Sequence, residues 1–494
     1  MAAPRAPLRY FAVGMLRRRL LIALATLVAA LTLPAGAHAA EQTMKFRFGP
    51  IVVTPGQNDI LFALNDKKPQ VPGWITSFKP DLVYKDGTPT RTDVIHLHHG
   101  VWLKNNYPQF AAGEEKSIID LPPGYGWRSL PSDRWVMNHM IHNLTPNPAE
   151  VYLTYEIGFI PDTDPAAAGI THEVQTKWLD VMGLRAWPVF DAIKGTGGKD
   201  KRFTYPDEVP GYRPESYPFN QWTVEQDGAL VGTVGHLHPG GLYTDLRVTR
   251  GGRTVTVFRS EAKYFEPAGA VSWDVALTRT PQNWRVAVRK GDVVSVHATY
   301  DTSRASWYES MGIMPLAWEP GGQGTDPFAS QVPTRGKVTH GPLKENRNHG
   351  GGPFGLPDPR KLPDGRALSR GAVKVTDFLY EQGDLKNIGR ALRPPTIPAG
   401  KGLTFINRDA AKNIMHTITA CKAPCNRETG IAYPLADASV AFDSGNLGYG
   451  PAGRTAAKNT DRWSTPKNLR PGTYTYFCRV HPFMRGSFRV KPRQ

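Results

Sequence analysis

Apolar and polar residues alternate in short runs along most of this chain, and turn formers cut the runs apart. Residues 44–48 alternate, Gly49-Pro50 interrupts them, and residues 55–58, Pro72-Gly73 and 85–87 mark further turns. A period of two belongs to a strand with one buried face, and glycine and proline supply the backbone angles of tight turns. The same reading predicts strands at 150–159, 246–250, 255–259, 284–288 and 291–302, and another ending at Cys478. No long 3.6-residue period stands out before Ala166; only 171–184 reads as a short helix. The pattern predicts an all-β protein built of sandwiches.

Composition changes the picture in scale and punctuation. A chain of 494 residues suggests about three domains, and its 49 glycines and 44 prolines fit many turns. A Pro/Gly/Lys-rich passage through 195–214 reads as a boundary between two halves. The Gly/Pro-rich stretch 321–371 reads as a linker with few apolar residues to bury, mobile or wrapped on the surface. The predicted organisation is 1–39, 44–205, 215–320, 321–371 and 372–494.

Residues 1–39 carry Arg17, Arg18 and Arg19, then an apolar run (20–33) too short to span a bilayer, then Ala37-His38-Ala39. This is the pattern of a cleaved secretory signal and predicts a secreted, extracytoplasmic protein. No later run is long and apolar enough to span a membrane. The formal charge is +17, of which the five arginines of 1–39 supply five, leaving about +12. No basic run is interleaved with aromatics, so a nucleic-acid groove is not expected. The surplus charge suits peripheral association with an anionic surface.

The chemistry-bearing residues concentrate first at the C-terminal end. Cys478, His481 and Met484 follow at Cys-x2-His-x2-Met spacing after an aromatic-rich strand, and His416 ends an earlier apolar run. Two imidazoles, one thiolate and one weak thioether suit copper that changes oxidation state, whereas zinc rarely recruits methionine. Cys421 and Cys425, in an oxidising compartment, predict a small loop disulfide beside this site. Together with 373–377 and 398–407, these motifs make residues 372–492 resemble a cupredoxin, the plastocyanin-like blue-copper domain. The resemblance implies a Greek-key β-sandwich binding type 1 copper through His416, Cys478, His481 and Met484.

The first half holds more histidines: His96, His98 and His99 in one run, His139 and His142 in another, and His236-Leu-His238 later. On a regular strand His96 and His98 share a face and His99 takes the other, so one metal could not use all three without a bulge or twist at His98-His99. A His-x-His pair on a strand presents both imidazoles on one face. In this order, followed by Met311 and Met314, residues 44–320 resemble the copper type II, ascorbate-dependent monooxygenases, which include peptidylglycine α-hydroxylating and dopamine β-monooxygenases. The resemblance implies two jelly-roll-like β-sandwich domains, each with one copper. One copper would be held by His98, His99 and His142 and would store an electron. The other, at His236, His238 and Met311, would activate dioxygen; Met314 is the alternative thioether, and the odd separation lets only one of the two serve. The catalytic set implied is therefore His236, His238 and Met311. The whole implies three copper ions and a redox partner or small-molecule reductant. The function expected is a copper monooxygenase-like oxidoreductase with a built-in blue-copper domain; the alternative is a non-catalytic extracytoplasmic electron carrier or copper-handling protein.

Overall fold

The structure is a computed structural model describing residues 41–56, 59–183, 189–209, 220–345, 355–368, 371–386, 393–427, 435, 439–448 and 460–493. The segment read as a secretory signal lies outside the described residues. Strands dominate the described residues, with short 3-10 turns between them, and the fold is all-β.

Three pairs of sheets follow one another along the chain, with a separate two-stranded ribbon of Phe190–Ala192 and Trp307–Ser310 among the residues of the second pair. In the first pair, one sheet orders Gln42–Val53, Ala149–Pro161, Gly73–Tyr84, Tyr125–Ser129 and His172–Glu173, with Ile119–Asp120 alongside. The other orders Leu61–Leu64, Trp135–Asn143, Ile95–Lys104 and Tyr107–Ala112. Alternating inward residues meet between them. Phe78 of one sheet stacks on Phe110 of the other at 4.4 Å between ring centroids, with Trp102 edge-on at 4.8 Å, and all three are fully buried. Such aromatic pairs add about 0.5–1.5 kcal/mol beyond their buried area. The Gly49-Pro50 interruption does not end its strand. Pairing with Ala149–Pro161 continues past a register shift between Phe48 and Ile51, so the break is absorbed as a bulge.

The second pair contains Gln175–Asp180, Gly312–Pro320, Gly228–Thr233 and Val286–Val288 in one sheet, with His236–Leu237 alongside. Its other sheet runs Arg202–Tyr205, Val293–Asp301, Gly241–Arg250, Arg253–Tyr264, Val275–Arg279 and Lys337–Val338, with Gln221–Thr223 alongside. Two expectations are corrected here. The stretch 171–184 forms no helix: Gln175–Asp180 pairs antiparallel with Gly312–Pro320, and Trp178, Leu179 and Asp180 are buried in succession. Burial on both faces erases the period of two that would have marked a strand. The boundary also moves. Strands from 175 to 205 pair with later ones, so the chain enters the second sandwich near residue 175, ahead of the 195–214 passage.

The third pair orders Leu379–Tyr380, Ala372–Thr376, Thr404–Asn407 and Arg462–Ser464 in one sheet, and Thr396–Pro398, Arg485–Lys491, Gly472–Phe477 and Thr419–Cys421 in the other. Between the second and third pairs, residues 321–345 of the linker lie along the second, whereas 355–368 lie along the third, where Leu368 N–H donates to the Thr396 carbonyl at 2.8 Å. Lys337–Val338 joins a sheet edge, the Trp284 indole donates to the Pro333 carbonyl at 3.0 Å, and Val332 and Leu343 are buried. The stretch therefore does bury apolar residues, a few spaced widely enough to escape a compositional reading.

Candidate functional site

The C-terminal site is built by a hairpin. Gly472–Phe477 runs into Cys478, and Arg485–Lys491 returns antiparallel. The intervening loop is closed by Met484 N–H donating to the His481 carbonyl (2.8 Å) and Cys478 N–H to the Met484 carbonyl (3.2 Å). His416 is presented by backbone bonds in both directions with Leu447. Cys478 Sγ lies 3.7 Å from His416 Nδ1 and 3.8 Å from His481 Nδ1, and the two Nδ1 atoms are 3.2 Å apart. Cys478, His416, His481 and Met484 are all buried. The sulfur also accepts the backbone N–H groups of Thr417 and His481, each at 3.3 Å.

Electrostatics prepare these groups as ligands. Burial pushes the Cys478 thiol up, but the His416 imidazole and the two N–H donors outweigh it and hold the thiol below its ordinary value. Burial works against the charge on His416, yet the Asp409 hydrogen bond and Cys478 prevail and raise it. Asp409 Oδ2 lies 2.9 Å from His416 Nε2 and also accepts Phe378 N–H, while Oδ1 accepts Asp377 N–H. The carboxylate thus fixes the proton on Nε2 and turns the Nδ1 lone pair toward the sulfur. Two supports of this site carried no sequence signal. Asp409 is one, seven residues before His416. Arg485 is the other, fully buried, donating to the carbonyls of Pro482, Cys425 and Arg427. The Cys421–Cys425 disulfide is formed, with 5.6 Å between its Cα atoms.

The second cluster spans the first and second sandwiches. Register between Ile95–Lys104 and Trp135–Asn143 shifts between Leu97 and His99, so His98 sits on a bulge. His96 Nε2 then lies 3.0 Å from His142 Nδ1, and the His98 ring centroid lies 4.8 Å from that of His142. His139 stays outside the group and faces Phe48. His99 is turned aside: its Nε2 meets Asn138 Oδ1 at 3.1 Å, while its Nδ1 is 3.3 Å from His98 Nδ1.

Across the junction, His238 Nδ1 donates to the Glu309 carbonyl (2.7 Å) and His236 Nδ1 to Glu115 Oε1 (3.0 Å). Gly113 makes room for this, since a Cβ there would run into the His236 ring. The two Nε2 atoms then face each other at 3.2 Å as lone pairs. Lone pairs so placed repel unless a cation lies nearby, so the donor set fits a metal ion. Burial lowers five imidazoles of the cluster: His99 is pushed down to about 3 and His142 to about 4, and His96, His98 and His238 lie well below the ordinary value.

The His98 and His238 rings touch, with centroids 4.1 Å apart, so the two ligand sets form one continuous cluster. Met311 lines the pocket shared by His99 and His236, whereas Met314 is buried in the core beside the strand of Leu179. His98, His142 and His238 instead line a cleft of about 80 Å³ whose lining also includes Met415, Thr417 and Arg479 of the third sandwich. Gly56 joins the two sites. Its N–H donates to the Asn143 carbonyl, next to His142, and a Cβ on it would lie 3.0 Å from His481 Cε1.

No protein-family model matches the chain, and no curated protein does. Among solved structures, the chain is similar to a copper-containing nitrite reductase (NirK) from Thermus scotoductus SA-01, at 14% identity and a TM-score of 0.16, over 55% of this chain and 59% of that one. It thus spans well under two thirds of that reductase. Recombinant pro-11S globulin of pumpkin (6% identity, TM-score 0.11, 57% of this chain and 86% of that) and vicilin from Corylus avellana (9%, 0.09, 53% and 75%) also align.

Proposed function

We propose that the chain is an extracytoplasmic copper oxidoreductase. Its type 1 site would be His416, Cys478, His481 and Met484, and its monooxygenase-like chemistry would occur at the histidine cluster. The observation that carries this reading is the convergence of a depressed thiol and two imidazole Nδ1 atoms within 3.8 Å, in a buried pocket joined through Gly56 to the histidine cluster. Copper bound there supplies one-electron chemistry. Asp409 and Glu115 hold the imidazole protons away from the ligand atoms, and the buried walls exclude water. Electrons would come from a redox partner or a small-molecule reductant outside the cytoplasm.

A second reading, a non-catalytic copper-handling protein, draws on the His98–His238 contact, which merges the two ligand sets. Metal analysis and ascorbate-driven oxygen uptake separate the two. The oxidoreductase reading expects about three coppers per chain and an intense blue band. It also expects His236→Ala to abolish oxygen uptake while the blue band stays. Loss of both together defeats the assignment of separate roles. Blue copper without oxygen uptake on any reductant leaves the second reading.

A further inference from the structure

We propose that Glu309 is a metal ligand, its side-chain carboxylate joining the imidazoles of His98 and His142 in a mixed nitrogen–oxygen site for a divalent first-row transition ion. The inference deepens the copper reading above and rests on it only for the identity of the ion. The ligand atoms of these three buried residues lie within 4.8 Å of one another. No sequence pattern marks Glu309, which belongs to the strand Trp307–Ser310 of the second sandwich, while both histidines belong to the first.

Its backbone shows how it is delivered. Glu309 has φ of 55°, a left-handed conformation that a non-glycine residue rarely adopts. Strain of this kind persists where the surroundings demand it and gathers at ligand sites. Here it lets one residue do two things. The carbonyl accepts the His238 Nδ1–H, and the carboxylate reaches across the junction to the first-sandwich histidines. His99, the third ligand implied by the family resemblance, turns Nε2 to Asn138 and keeps Nδ1 beside His98, but it is not in the group of His98, His142 and Glu309 whose ligand atoms lie within 4.8 Å of one another. The carboxylate stands in its place.

The exchange changes the chemistry. Two imidazoles and a carboxylate form a harder donor set than three imidazoles. They favour a divalent over a monovalent copper, with Cu(II) bound most tightly of the divalent first-row ions. The cleft beside the three residues leaves room for a further ligand.

The test uses the full chain carrying Cys478→Ser together with His416→Ala and His236→Ala, which disable the other two-imidazole sets, titrated with Cu(II) alone. Pulsed electron paramagnetic resonance of the bound ion is expected to count two imidazoles. Glu309→Gln in this background is expected to weaken one equivalent at least about tenfold in chelator competition, with circular dichroism unchanged. Glu309→Asp should recover part of the loss. Three imidazoles in the spectrum, or unchanged affinity in Glu309→Gln, overturns the proposal. If Glu309→Gln does not fold, the imidazole count with Glu309 intact decides alone. A triple variant that takes up no Cu(II), beside a wild type that still turns blue, defeats this site and leaves the type 1 reading standing. A wild type that never turns blue, beside a triple variant that binds Cu(II) as described, does the reverse.

Discussion

Replacing Asp409 with asparagine should loosen the C-terminal site from beneath. The carboxylate is fully buried and accepts three donors: Asp377 N–H at 2.8 Å, Phe378 N–H at 3.1 Å and His416 Nε2–H at 2.9 Å. An amide keeps one acceptor oxygen. If that oxygen faces Phe378 and His416, the NH2 group confronts Asp377 N–H and orphans it, which costs about 1–3 kcal/mol. The two remaining bonds fall from the charged-acceptor range of about 1.5–3 kcal/mol to the neutral range of about 0.5–1.5 kcal/mol. The sum is a local destabilisation of about 3–6 kcal/mol. If the amide turns the other way, His416 must accept at Nε2 and carry its proton on Nδ1, directed at Cys478, which removes a ligand lone pair. Either way the site weakens. Hydrogen exchange read by mass spectrometry should show faster exchange at Asp377 and Phe378 in the metal-free chain. Copper titration should show weaker uptake with an altered blue band. Unchanged exchange and unchanged affinity would mean that Asp409 neither braces the 377–378 turn nor sets the His416 tautomer.

Three further outcomes follow from the same geometry. Burial pushes the Asp180 carboxyl up to about 7 despite the Met182 and Gly183 N–H groups it accepts. The unfolded chain ionises it near 4. The native state therefore holds the extra proton between those values, and the Asp180 contribution to metal-free stability should fall as pH rises from about 4 to about 7, against the larger opposite rise from the buried imidazoles, which the unfolded chain protonates first. Asp180→Asn should steepen the net rise of the urea midpoint with pH between about 4 and 7, and an unchanged slope in the variant would show that Asp180 does not hold the proton. Gly56→Ala places a Cβ 2.8 Å from Ile414 Cγ2 at φ of 63°. It should destabilise by at least about 1–2 kcal/mol and expose His481 to imidazole-modifying reagents; a His481 that stays protected would show that the contact yields without opening. Replacing Cys421 and Cys425 together by serine removes a very short loop closure, with an expected loss of about 2 kcal/mol; an unchanged urea midpoint would show that Arg485 alone secures that loop.

The parts legible in the sequence were those whose chemistry is local. Cys478, His481 and Met484 lie on one loop, so their spacing already places them together. The need for a bulge at His98-His99 followed from strand geometry alone, and the register shift falls there. What escaped depends on distant pairing. Gln175–Asp180 is a strand because Gly312–Pro320 covers it, and its own residues carry no alternation. Glu309 and Asp409 act through partners delivered by other elements, and nothing at their own positions announces it. The meeting of His98 with His238 needs two sandwiches placed face to face, which no single periodicity encodes.

The backbone of Gly56 lies against the imidazole of His481, which has no exposed surface. In a free-standing electron carrier, such a ring edge is the natural point of contact for a visiting protein. Here the chain's own first sandwich has taken that berth permanently. A protein that binds the third sandwich would therefore meet a face other than the one over His481.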